Sequence, residues 1–163
     1  MAAKKASPAM PYTGNKDAAG VTAARPGTKK LMDILINKGF SNLGIYANRT
    51  MRGSTLLSVH ATGRALDAGY KQSRQEWVTK FADWLADNHQ ILGIEEIHQY
   101  VWGTHGRGFR CNRSGKPGWL EWTAENNGGP GGYWLHVELC PAHADSPAAL
   151  TKAWKSIPPL PVE

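Results

Sequence analysis

The chain has 163 residues, 41% of them hydrophobic, with seven Trp and a formal net charge of +6; its mean hydropathy is -0.44. That is one domain's worth of chain with ample material for a core. No apolar run approaches the roughly 20 residues of a membrane span, and the N-terminus lacks the apolar stretch of roughly 7 to 15 residues of a secretory signal, so membrane insertion is not expected and export would depend on something else.

A pI near 9.4 favours an anionic partner, whether nucleic acid, an anionic membrane face or the acidic polymers of a cell wall. Apart from Lys4-Lys5, Lys29-Lys30 and Arg107, Arg110 and Arg113, the cations are spread along the chain. No basic recognition helix is visible, and nucleic acid is not the expected partner. Cys111 and Cys140 are too few for a disulfide scaffold and form no CxxC pair, so reduced thiols are the default reading, with a single bridge between them as the alternative in an oxidising setting.

Residues 1–27 are rich in Ala, Gly, Lys and Pro without apolar periodicity and read as a flexible arm. The folded domain is expected over 28–156. Leu31, Ile34 and Leu35 give an amphipathic helix with Thr28 as N-cap and Gly39 as C-cap. Residues 42–48 have strand character, and 49–54 read as a loop. Ser73-Arg74-Gln75-Glu76 has the form of a capping box, followed by Trp77, Phe81, Trp84 and Leu85 at helical spacing, which predicts a helix over 73–88. A strand is expected within 91–102, and 103–132, rich in Gly, reads as a flap beside a cleft. Residues 133–139 form another strand, and Ser146-Pro147 starts a closing helix to about Lys155. The proline-rich tail, 157–163, cannot continue it.

Between the loop and the first long helix lies Ser58-Val59-His60-Ala61-Thr62-Gly63-Arg64-Ala65-Leu66-Asp67. An imidazole nitrogen and a carboxylate oxygen both coordinate zinc at roughly 2.0 to 2.2 Å, and a hydrolytic zinc takes three protein ligands. Gly63 allows the turn that returns the chain so that His60 sits beside Asp67. The third ligand is expected from His136, with His98 as the rival. In a strand, residues two apart share a face, so His136 and Glu138 point the same way: one to bind metal, the other to handle protons.

Ser58, His60, Gly63, Ala65 and Asp67 fill every fixed place of the S-x-H-x-x-G-x-A-x-D pattern, and here the chain resembles the zinc D-Ala-D-Ala carboxypeptidase and L-alanyl-D-glutamate endopeptidase family. Leu135-His136-Val137-Glu138 resembles that family's later zinc-binding strand, and the likeness spans about residues 31–139. It implies an α+β fold with a small antiparallel sheet flanked by helices, shared with the hedgehog signalling domain. It also implies zinc held by His60, Asp67 and His136, and a monomeric peptidase acting on bacterial peptidoglycan. Many members are phage endolysins, which stay in the host cytoplasm until release and then attack the wall. The family commonly has its catalytic Asp or Glu three residues before the last zinc-binding His, where this chain has Tyr133. Glu138 is the expected replacement, with Glu121 and Glu125 as lesser options. Arg52, or Arg49, is expected to stabilise developing negative charge, and Ser58, Tyr133 and Trp134 to contact substrate. Without a base, the same domain would bind wall peptide and not cut it.

Overall fold

The computed structural model describes residues 9–126 and 132–163. It is an α+β fold whose six strands form one antiparallel sheet in the order β1-β2-β6-β3-β4-β5. The strands are β1 Ser41–Gly44, β2 Ala65–Gly69, β3 Ile94–Gln99, β4 Arg107–Arg113, β5 Lys116–Glu121 and β6 Trp134–Leu139. The helices are α1 Pro26–Ile36, α2 Gln75–Asp87, α3 His89–Leu92, α4 Pro141–Asp145 and α5 Pro147–Ser156. Among the described residues no helix is long and apolar enough to cross a membrane.

Side-chain alternation divides the central strands into two faces. Leu66, Ala68, Ile97, Leu135, Val137 and Leu139 turn towards the helices and share one core with Leu31, Met32 and Leu35 of α1, Phe81 and Leu85 of α2, and Leu150 of α5. Asp67, Glu96, His98, His136 and Glu138 have the opposite parity, so the chemistry lies on the face away from the helices. Gly27 lets α1 seat on α4, because a Cβ there would lie 1.9 Å from the His143 carbonyl oxygen.

Several local expectations are corrected. Helix α1 begins at Pro26 after an extended Arg25, and Thr28 is buried inside it instead of capping it. Proline, with φ already near its helical value, sets the start. The capping box does not form: residues 72–74 make a 3-10 turn, and α2 starts at Gln75 with no side-chain cap. At α5, by contrast, Ser146 Oγ accepts from the Ala149 amide as expected. The strand expected over 42–48 is shorter, and the region 91–102 divides into the end of α3 and β3. The middle of the expected flap, 107–121, is a β-hairpin, β4–β5. Its two-residue turn, Ser114-Gly115, has positive φ at both positions (53° and 88°), the backbone that matches strand twist in a tight hairpin. Residues 127–131 of that segment lie outside the described residues.

The expected flexible arm is, over residues 9–25, fastened to the sheet. Thr13 donates through its amide and hydroxyl to Glu95, and Tyr12 donates to Glu96 at 2.7 Å. The fully buried Arg64 guanidinium meets Asp17 and Glu95 and donates to the carbonyls of Gly14 and Leu139. Composition suggested looseness because these anchors are single polar contacts, not a periodic apolar stripe. Residues 1–8 lie outside the described residues. The tail is held too: Trp77 donates to the Pro161 carbonyl, and Glu163 pairs with Arg74.

Removing the Arg64 charge leaves the fully buried Glu95 without its cation, while Asp17 keeps Arg25 at 2.6 Å. Arg64→Met is expected to cost about 3–5 kcal/mol, read as a lowered urea midpoint. A loss below about 1 kcal/mol would show that the arm is not tied through this residue.

Candidate metal centre

The site is built on two rungs of the sheet. On one, Asp67 of β2 pairs with His136 of β6, which pairs with His98 of β3. On the next, Ala65, Glu138 and Glu96 stand side by side, with Arg110 of β4 opposite Glu96. Directly opposed residues bring their Cβ atoms within roughly 5.5 Å, so antiparallel register alone sets Asp67 against His136. Ala65 is small, which leaves its rung open for Glu138.

His60 arrives from outside the sheet on a 3-10 turn, Val59–Thr62. Ser58 Oγ accepts from the His60 amide at 3.3 Å, and Thr62 Oγ1 donates to the Val59 carbonyl at 2.7 Å. Gly63, at φ 72°, reverses the chain into β2, and a Cβ there would lie 2.4 Å from the Ala23 carbonyl oxygen. The fixed glycine of the motif is therefore required twice, by a left-handed backbone and by close approach.

These elements close a three-donor group. His60 Nε2 lies 3.2 Å from His136 Nδ1 and 3.2 Å from Asp67 Oδ2, and His136 Nδ1 lies 2.9 Å from Asp67 Oδ1. Two donors about 2.0–2.1 Å from a tetrahedral ion are about 3.3 Å apart, close to this spacing. His60, Asp67 and His136 can hold a metal ion, with ligand atoms all within 4.8 Å of one another. The far nitrogen of His136, Nε2, is 3.0 Å from Glu138 Oε1; a carboxylate there fixes the tautomer and orients the ring of a ligating imidazole. His98, the rival ligand, stands outside the group, its ring centroid 4.9 Å from that of His136.

The acidic residues around the group are buried and closely partnered. Glu96 and Glu138 are each only 4% exposed; Arg110 pairs with Glu96 at 2.9 Å, and Arg49, Arg52 and Arg113 line the same cavity as these carboxylates and Asp67. Burial would raise Asp67, but hydrogen bonds and charge from His136 and His60 hold it well below the carboxylate range. Burial would likewise raise Glu96, which hydrogen bonding and charge from His98, the charge of Arg110 and the Tyr12 hydroxyl hold low. Burial would lower His136, yet hydrogen bonds to Asp67 and Glu138 and their charges win, pushing it up to about 10. In the metal-free protein this favours the imidazolium form of His136, held between Asp67 and Glu138.

A cavity of about 720 Å³ opens over the group, with Arg49, Arg52, Ser58, Glu125 and Trp122 on its walls. Arg52 and Arg49 thus reach the site from the loop before the 3-10 turn, and Ser58 lies at its edge with its hydroxyl engaged by the His60 amide. Glu138 also lines it, with Oε1 on His136. The expected contacts from Tyr133 and Trp134 are not among its walls. Tyr133 shares the parity of Leu135 and packs edge-on against Tyr70 on the helical side, at 5.9 Å, while Trp134 lies against Tyr100 at 4.5 Å. Sequence reasoning missed Tyr12 and Glu96. Glu96 sits beside Glu95 in a strand otherwise read as apolar, a placement carboxylates rarely take without a partner, and that was the available signal. Cys111 and Cys140 are free thiols, as expected. Comparison with protein-family models, with curated proteins and with solved structures finds no match to this chain.

A divalent metal must displace the His136 proton. At pH 7 its binding is expected to release about one proton, measured by calorimetry in buffers of different ionisation enthalpy. Because the folded value lies above the ordinary 6.5, the imidazolium stabilises the metal-free protein fully below about pH 6.5 and this contribution fades as pH rises through about 10. Metal-free protein should therefore lose melting temperature between pH 7 and 10. Metal uptake without proton release would contradict this protonation state.

Proposed function

We propose that this chain is a zinc metallopeptidase that hydrolyses peptide bonds in the stem peptides or cross-links of bacterial peptidoglycan. In this reading it has the hedgehog-type fold of the D-Ala-D-Ala carboxypeptidase and L-alanyl-D-glutamate endopeptidase family and acts as a monomeric phage endolysin, reaching the wall from the host cytoplasm. The observation that carries the reading is the convergence of His60 and Asp67, from the S-x-H-x-x-G-x-A-x-D stretch, with His136 as three donors at the base of an open cavity. Two imidazoles and one carboxylate suit zinc, which takes N and O ligands in tetrahedral sites and keeps a position open when catalytic.

Bound there, zinc would supply Lewis acidity towards a peptide carbonyl and activation of water near neutral pH. The chain's own residues divide the remaining tasks. Glu138, with Oε1 on His136 Nε2, holds a ligand in one orientation and adds negative charge behind it. His98 is partly open, and its Nε2 is 3.3 Å from Glu96 Oε1, so a carboxylate-backed imidazole stands beside the metal group where a proton can be taken or returned. Arg49 and Arg52 bring positive charge to the wall of the cavity, where a developing oxyanion would be stabilised.

Engagement of Glu138 with His136, and Tyr133 turned away from the cavity, favour one second reading: a wall-binding module that keeps the metal without cutting. Zinc content and release of new amino groups from purified peptidoglycan separate the two. His136→Ala should lose both metal and cleavage. His98→Ala should keep the metal while cleavage falls roughly 10²- to 10⁴-fold, and Glu138→Gln should lower metal affinity roughly 10- to 100-fold. A zinc-loaded wild type that releases no amino groups from walls of any host tested would favour the binding module.

A further inference from the structure

We propose that the groove between α1 and α5 docks a phosphate-bearing anionic polymer of the cell wall, at a surface separate from the metal-centred cavity. The groove has a volume of about 620 Å³; Lys30 of α1 flanks one side, Lys152 and Lys155 of α5 the other, and Pro147, Ala148 and Thr151 complete its lining. Helix α5 contains no acidic residue, and α1 contains only Asp33. Among the described residues none of the three lysines pairs with a carboxylate; the lysine ion pair present is Lys80 with Glu76, on α2.

Packing of α1 against α5 therefore gathers three lysines around one groove with no acidic residue in its lining. A partner with repeated negative charge complements them. Lysine carries a compact point charge on a flexible stem, whereas arginine offers a planar fork for a single bidentate anion. Lysines spaced along a groove suit phosphates spaced along a chain, and the small floor residues leave room for the units that link them.

The location supports docking over catalysis. Helices α1 and α5 cover the core face of the sheet, the metal group lies on the other face, and groove and cavity share no lining residue. A polymer held in the groove leaves the cavity open to substrate. Lys30, Lys152 and Lys155 account for part of the net charge of +6 at one defined place. The choice of a wall polymer over other polyanions rests on the wall-peptidase reading above.

The test compares two triple variants of the full zinc-loaded chain. Lys30→Gln/Lys152→Gln/Lys155→Gln empties the groove of charge, and Lys16→Gln/Lys71→Gln/Lys116→Gln removes the same charge elsewhere. Binding to insoluble bacterial walls is measured by sedimentation at about 50 and about 200 mM salt, before and after chemical removal of the walls' phosphodiester polymers. The groove variant should bind intact walls about tenfold more weakly than the control variant, and the difference should vanish on stripped walls and at the higher salt. Equal weakening by both variants, or undiminished wild-type binding to stripped walls, overturns the proposal. So does a groove variant that loses affinity for duplex DNA and not for walls. Hydrolysis of a soluble stem peptide, followed in parallel, should be the same in both variants and the wild type. If none hydrolyses it while groove-dependent wall binding persists, the peptidase reading fails and the docking surface stands.

Discussion

The register of β6 between β2 and β3 is the constraint on which the site depends. One rung sets Asp67, His136 and His98 in a row, and the next sets Glu138 and Glu96 beside Arg110. A slip of one residue would turn His136 and Glu138 into the core and Leu135 and Val137 out to solvent. The apolar parity of β6 thus protects the polar one: the burial that packs Leu135, Val137 and Leu139 under the helices also aims His136 and Glu138 at the cavity. Only His60 lies outside this logic, and its turn is locked by Ser58, Thr62 and Gly63.

Burying so much negative charge is costly unless it is partnered. Two devices meet the cost. Outside the cavity lining, Arg64 joins Asp17, Glu95 and two carbonyls into one buried knot, which draws residues 13–17 onto the sheet. On the cavity side, Tyr12 and Arg110 hold Glu96, and His136 sits between Asp67 and Glu138. The phenol of Tyr12 is 3.5 Å from Glu138 as well as 2.7 Å from Glu96. Burial and the two carboxylates raise it far above its ordinary value, so it remains a neutral donor. A divalent cation held by His60, Asp67 and His136 would take the place of the His136 proton. The N-terminal segment and the site are coupled through Tyr12, which donates to Glu96.

Much of the site was legible because its residues combine unusual type with strict spacing. Asp67 stands in a strand, where carboxylates are depleted, and His60 follows a serine and precedes a glycine at offsets that make a closed turn. The α2 and α5 helices were legible from apolar periodicity and from Ser146-Pro147. What sequence did not reveal depends on long-range pairing. Nothing local to Tyr12 points to Glu96, 84 positions away, and the arm's composition points the other way. The capping box failed because Ser73 and Arg74 were taken into a 3-10 turn, and the β4–β5 hairpin was obscured by glycines that suggested a flap. Its alternation of Phe109 and Cys111 with polar residues, ending at Ser114-Gly115, carried the correct signal. Glu138 was placed on the right face, but its engagement with His136 Nε2 follows from side-chain geometry that face parity does not determine.

The central claim is that His60, Asp67 and His136 jointly bind one divalent metal. An anomalous difference map, recorded at the zinc edge from crystals grown with zinc, tests it most directly. The account predicts one strong peak within about 2.3 Å of His60 Nε2, an Asp67 oxygen and His136 Nδ1, with Glu138 still on His136 Nε2. No peak at this position, or a zinc ion held by His98 with His60 left out, would contradict it.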